Sequence, residues 1–229
     1  WTSGLIAIIG AIGVEPGDEI IVSPWTMCAT ATAILHWNAI PVFADIEEKT
    51  FNLNPNEVRK KITERTKAIL AVDIFGQSCD IGELRELAKM YNLILITDSA
   101  QSPGVWAGNK LAGTQSDIGG YSLNYHKHIH TGEGGVIITN NDDYNIRVRL
   151  IRNHAEASIV ESGLTDLKNM IGYNFRLGEI ECAIGIEQLK KLEGFIESRQ
   201  AAANKLTSGL KDLKGLVLPH IKQGNTHAY

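Results

Sequence analysis

With 229 residues, a net charge of −4 and a pI near 6.0, the chain is long enough for one α/β domain and part of a second. That charge, with no basic run beyond Arg59–Lys61 and no aromatic residues interleaved with basic ones, excludes a nucleic-acid or anionic-membrane surface. The longest apolar stretches, such as residues 4–14, fall short of the roughly 18 residues that a membrane span needs.

The sequence opens on an apolar helical pattern over residues 3–13, ended by Pro16–Gly17–Asp18. Strand and helix patterns then alternate: strand 19–23, helix 27–38, strand 40–45, helix 54–62, strand 67–72, helix 81–91 and strand 93–98. Such alternation predicts an open, mostly parallel sheet with helices on both faces. Its strands are continuous apolar runs, as expected where both faces are buried. After Asp98 the pattern changes. Short strands at 117–123 and 135–140 flank residues 124–134 with little room for a crossover helix, which predicts an antiparallel pair. A long helical region follows from about Gly178 to Leu213, with apolar residues three and four apart, and leads toward a second, smaller domain.

No initiator Met begins the sequence and no closing element follows "NTHAY", so a fragment of a longer chain is expected. Cys28, Cys79 and Cys182 lie far apart, without metal or redox spacing. With no secretory signal pattern, they lead to the expectation of a cytoplasmic protein.

Several residues are placed for chemistry, each with an ordinary alternative. Ligands of open α/β sheets bind beyond the C-terminal strand ends, and Asp98 closes the strand 93–98. A helix N-cap is the commoner use of such an aspartate. Thr2 and Ser3 begin the first helix, where free N–H groups and the helix dipole suit a phosphate, or where they merely cap it. Ser122, at the end of the strand 117–123, is equally ambiguous. Lys127 lies between an apolar strand and the turn marked by Gly132, Gly134 and Gly135. In a cleft it is a nucleophilic amine with a lowered pKa; on the surface it is a solvated charge. His126, His128 and His130 alternate, so on a strand they would share a face and suit zinc, although no fourth ligand element accompanies them.

Longer stretches carry more weight together. "GVEPGDEIIV", "IPVFADIEEKTFNLNP", "TKAILAVDIFGQSCDIGEL", "ITDSAQSPG", "YSLNYHKHIHTGEGG", "LIRNH" and "YNFRLGEIECAIGIEQLKKLE" occur in this order. In that order and spacing the chain resembles the DegT–StrS family of nucleotide-sugar aminotransferases, pyridoxal-phosphate (PLP) enzymes of fold type I. The resemblance implies a mostly parallel, seven-stranded-type sheet in a large PLP-binding domain (1–177, N-terminally incomplete). A connecting helix and the start of a small C-terminal domain would occupy 178–229. It also implies a role for each matching residue. Lys127 would link covalently to the cofactor, five residues after a phosphate-binding Ser122. Asp98 would pair with the protonated ring nitrogen, and Gln101 would lie near the ring hydroxyl. Thr2 and Ser3 would bind the phosphate, and Asn174 would reach the phosphate of a neighbouring subunit's cofactor, unless it is only a local cap.

Three departures from the family pattern stand out. Trp1 stands where the family usually has a loop glycine. Met27 stands where many members place an aromatic ring on the pyridine face. Some relatives replace the lysine with histidine and act as sugar dehydratases, whereas His128 here only neighbours Lys127. The implied function is amino transfer, with glutamate as donor, to a nucleotide-linked keto sugar by a homodimer with shared sites. The alternatives are a dehydratase or regulatory member of the same family, and a zinc enzyme using the histidines. No metal is assigned.

Overall fold

The computed structural model describes residues 1–156, 163 and 168–229. Strands β1 (Glu19–Val22), β3 (Thr66–Val72) and β4 (Ile94–Asp98) are buried almost throughout. Together with β2 (Ile40–Phe43), and with β7 (Ile118–Ser122) and β8 (Gly135–Thr139), they form one sheet in the order β2-β1-β3-β4-β7-β8. Neighbours from β2 to β7 are parallel, and β8 runs antiparallel to β7. Both the α/β class and the antiparallel excursion match the sequence reading. This sheet has six strands among the described residues, against the seven-stranded type the resemblance implies. Asn153 and Asn174 make only an isolated bridge, not a further strand.

Alternation along the strands divides the core into two layers. Ile20, Val22, Leu70 and Ile96 pack with α1 (Thr2–Ala11), α2 (Cys28–Leu35) and Ile151 of α5 (Asp142–Arg152). Ile21, Ile69, Ala71 and Leu95 pack with Val58 of α3 (Pro55–Lys61) and with Leu84 and Leu87 of α4 (Ile81–Met90). Helix α1 is apolar on nearly all sides because α2 and α5 enclose it against the sheet.

The pattern reading missed two elements. One is the small hairpin β5 (Trp106–Ala107) and β6 (Lys110–Leu111). The other is α5, whose sequence is largely polar. Its termini were nonetheless marked. Asn141 accepts the Tyr144 N–H at 3.0 Å, Asp142 and Asp143 open the first turn, and Arg149 and Arg152 close the last. The single long helix expected from Gly178 onward is instead two, α6 (Glu179–Leu189) and α7 (Leu192–Leu210). At the break the Lys191 N–H bonds Gln188 O at 3.0 Å, three residues back rather than four, so the α-helical ladder is interrupted.

The chain steps from β1 to β2 on one side, then back across β1 to β3 on the other. This reversal opens a crevice beyond the carboxyl ends of the strands. The loops after β1, β4 and β7, which carry Met27, Gln101 and Lys127, leave the sheet at that edge.

Candidate active site

Asp98 is the last residue of β4 and is only 4% exposed. Its Oδ1 accepts the Trp1 Nε1–H at 2.9 Å and the Ala100 N–H at 3.2 Å; its Oδ2 accepts the Thr30 hydroxyl at 3.0 Å. The Ala100 bond makes a tight local turn, but no helix starts after Asp98, so the N-cap alternative does not hold. Burial pushes the Asp98 pKa up. The bonds from Thr30, Ala100 and Trp1, and the charge of Lys127, pull it back in part.

Beside Asp98, after the neighbouring strand β3, lies a second buried carboxylate that no sequence pattern marked. Asp73 follows β3 and is 1% exposed. Its Oδ2 accepts the Ser99 hydroxyl at 2.6 Å, its Oδ1 accepts the Cys79 N–H at 2.9 Å, and its backbone O accepts the Ser102 hydroxyl at 2.8 Å. The Asp73 N–H in turn donates to Asp98 O at 3.0 Å. Burial raises the Asp73 pKa as well. The available signal was an aspartate directly after a buried strand, the pattern that singled out Asp98.

Lys127 stands in the turn between β7 and β8, with its N–H on Asn124 O at 2.9 Å. The side chain is half-buried, and loss of solvent lowers its pKa while the Asp98 charge opposes the shift. The amine and the carboxylate therefore share one electrostatic environment. Ser122, buried at the end of β7, accepts the Asn124 N–H at 3.2 Å and so helps shape the lysine loop. Gly132, with φ of 88°, supplies a left-handed turn in that loop that a side chain would strain.

Because residues 124–134 form turns rather than a strand, the three histidines share no face. His126 is exposed, and His128 is buried with its Nε2 3.3 Å from Ala228 O and its ring centroid 4.9 Å from that of Tyr229. Burial and the positive charges of Arg199 and Lys127 push the His128 pKa down to about 4. Among the described residues no three His, Cys, Asp or Glu side chains converge as a metal site. The geometry on which the zinc alternative rested is thus missing here.

The remaining predicted residues divide into those at the crevice and one outside it. Thr2 and Ser3 are exposed in the first turn of α1, whose leading N–H groups have no intrahelical acceptor. Trp1, their neighbour, ties that helix start to Asp98. Met27 occupies the N-cap position of α2 and is 67% exposed, one turn before Thr30. Gln101 Oε1 accepts the Phe75 N–H at 2.8 Å and steadies that residue at its positive φ of 55°. Asn174 is exposed and joins none of these contacts. Its segment is held to the end of α5, with the Tyr173 N–H on Ile151 O at 2.7 Å and the Phe175 N–H on Arg152 O at 3.0 Å. It caps no helix either, since α6 begins at Glu179 behind Gly178. Most of the irregular stretch before it (157–162 and 164–167) lies outside the described residues.

The profile of the DegT/DnrJ/EryC1/StrS aminotransferase family matches residues 1–229. The chain is 33% identical over 229 residues to a GDP-perosamine synthase of Caulobacter vibrioides, covering 100% of this chain and 61% of that protein. It is 32% identical over 232 residues to the dTDP-3-amino-3,4,6-trideoxy-alpha-D-glucose transaminase of Micromonospora megalomicea, with coverages of 100% and 61%. The crystal structure of S. venezuelae DesV superposes with a TM-score of 0.91 at 30% identity, over 99% of this chain and 60% of that one. The chain thus spans about three fifths of the length of these relatives.

Proposed function

The chain belongs to the DegT/DnrJ/EryC1/StrS aminotransferase family, and from that premise we propose that the full protein is a PLP-dependent aminotransferase that transfers an amino group from glutamate to a nucleotide-linked keto sugar. One observation carries the reading: the buried Asp98 carboxylate closes β4 and Lys127 stands in the loop after the neighbouring parallel strand β7, so a carboxylate and an amine leave adjacent strands at the same edge of the sheet. The donor set suits the cofactor. Asp98 Oδ2 has one described partner, Thr30, and so keeps a lone pair for a protonated ring nitrogen. The start of α1 at Thr2 and Ser3 suits an anionic phosphate. Relatives named for GDP- and dTDP-linked amino sugars support the substrate class.

Bound PLP supplies an electron sink for charge developing on the substrate carbon. Lys127 would hold the cofactor through Nζ and would move a proton at that same atom. Loss of solvent favours its neutral, nucleophilic form. Asp98 keeps its charge opposite the ring nitrogen. Ser122 would join Thr2 and Ser3 in holding the phosphate, Gln101 would lie by the ring hydroxyl, and Met27 would pack on the ring face. A lysine rather than a histidine at position 127 favours amination over dehydration.

Residues 1–177 form the large domain in this reading, and 178–229 lead into a smaller one. The active unit is a homodimer in which Asn174 completes the partner's phosphate site. Supporting this, Asn174 is exposed and outside its own crevice, and α6 exposes Ile180, Ile184 and Ile186. Full-length protein supplied with PLP should absorb above about 400 nm. With glutamate and a nucleotide-linked keto sugar it should release the amino sugar and 2-oxoglutarate. A dehydrated sugar as sole product, or no visible band, contradicts the reading. Mixed Lys127→Ala and Asn174→Ala subunits should regain part of the activity each lacks alone. No recovery despite subunit exchange contradicts the shared site.

A further inference from the structure

Of the two side chains that reach Asp98 from outside its own loop, one is a residue to which no pattern gave a role. The Trp1 indole reaches Oδ1 from 97 residues away in sequence. Its ring is seated on bare backbone: a Cβ on Gly120 would fall 2.2 Å from the ring, and one on Gly135 would fall 2.5 Å from it. Gly120 is the register partner of Asp98 across β4 and β7, and Gly135 pairs with Ser122 across β7 and β8. The glycine seat therefore sets the indole directly beside the carboxylate. A donor here departs from the pattern the chain otherwise resembles, in which a glycine has no side chain to offer.

We propose that Trp1 is a positioning residue of the cofactor site, whose indole N–H holds the Asp98 carboxylate in one rotation and in its charged form for the ring nitrogen of PLP. The inference rests on the PLP reading above. An indole N–H is a donor only, so it stabilises the carboxylate without offering a proton that could neutralise it. With Ala100 of its own loop also on Oδ1 and Thr30 on Oδ2, the carboxylate accepts three bonds, which leaves Oδ2 the freer oxygen. The charged groups facing it are Lys127, whose attraction favours the anion, and Asp73, whose repulsion opposes it.

The test is made on the full-length protein, with PLP affinity read by equilibrium dialysis and folding by circular dichroism. Trp1→Phe keeps a ring on the glycine seat and removes only the N–H. It should weaken PLP binding by about tenfold, the scale of one hydrogen bond to a charged group. In an Asp98→Ala background the same substitution should change the affinity by less than about twofold, because nothing remains to position. Gly135→Ala leaves the indole intact but displaces it, and should weaken PLP similarly, which covers the case of a misfolded Trp1→Phe. Wild-type affinity in both Trp1→Phe and Gly135→Ala would overturn the proposal. So would an undiminished Trp1→Phe effect without Asp98, which would reduce Trp1 to packing. Wild-type protein that takes up no PLP contradicts the underlying reading instead, and the first titration distinguishes that case.

Discussion

Strands β3 and β4 lie side by side, and each leads into a buried aspartate, yet the two carboxylates have different surroundings. Asp73 is bound by Cys79 from its own loop and by Ser99 from the loop next door, and its oxygens are spent on closing those loops. Asp98 accepts one bond from its own loop, at Ala100, but its two side-chain partners, Trp1 and Thr30, are brought from the starts of α1 and α2, and the charge of Lys127 acts on it. The difference teaches that a strand ending in aspartate fixes position, while the origin of the partners separates a structural carboxylate from a functional one.

Replacing each aspartate by its amide should separate the two roles, and the largest effect falls on turnover. Asp98→Asn in the full-length protein should lower kcat by about a hundredfold or more, since a neutral amide cannot stabilise a pyridinium charge. Its folding should not suffer, because the amide oxygen can keep the Trp1 and Ala100 N–H groups while its NH2 donates to the Thr30 hydroxyl, which can turn its own proton to Thr26 Oγ1. A carboxyl whose folded pKa lies above its unfolded one weakens folding at any pH where it is ionised, so the unliganded variant should melt at the wild-type temperature or slightly higher. A drop in melting temperature with activity retained would give Asp98 a purely structural role.

Asp73→Asn should do the reverse. The amide oxygen can keep the Cys79 N–H, but its NH2 then meets the Ser99 hydroxyl, which must turn from donor to acceptor and leave its proton without the acceptor it had, at a cost of about 1–3 kcal/mol. Turnover per folded molecule should stay within severalfold of wild type. Equilibrium unfolding and active-site titration measure the two quantities separately.

A smaller effect should appear with pH. Because His128 is held neutral with its pKa depressed to about 4 from an ordinary 6.5, the unfolded chain binds its proton first as pH falls. Stability should therefore decline as the pH drops from about 6.5 to about 4, by about 3 kcal/mol at most. His128→Phe should flatten that part of the profile in a comparison of melting curves.

The sheet was legible because β1, β3 and β4 are unbroken apolar runs, and the antiparallel β7–β8 pair because the segment between them is too short for a crossover. Helix α5 escaped because its buried face includes Arg147 and its sequence is mostly polar, so only its caps announced it. The α6–α7 break escaped because "QLKKLE" continues the helical pattern and the interruption lies in the hydrogen-bond ladder alone. Asp98 and Lys127 stood out through their place at strand ends and their spacing. Their surroundings did not, because Trp1 and Thr30 approach Asp98 from 97 and 68 residues away. The burial of His128 was equally hidden, since its cover includes Ala228, 100 residues later.

Borohydride reduction of the PLP-loaded full-length protein, followed by peptide mapping, reads out whether Lys127 carries the cofactor. The expected result is one pyridoxyl group per chain, on Lys127, and none in Lys127→Ala. A pyridoxyl group on any other lysine, or stoichiometric labelling that survives Lys127→Ala, would contradict it.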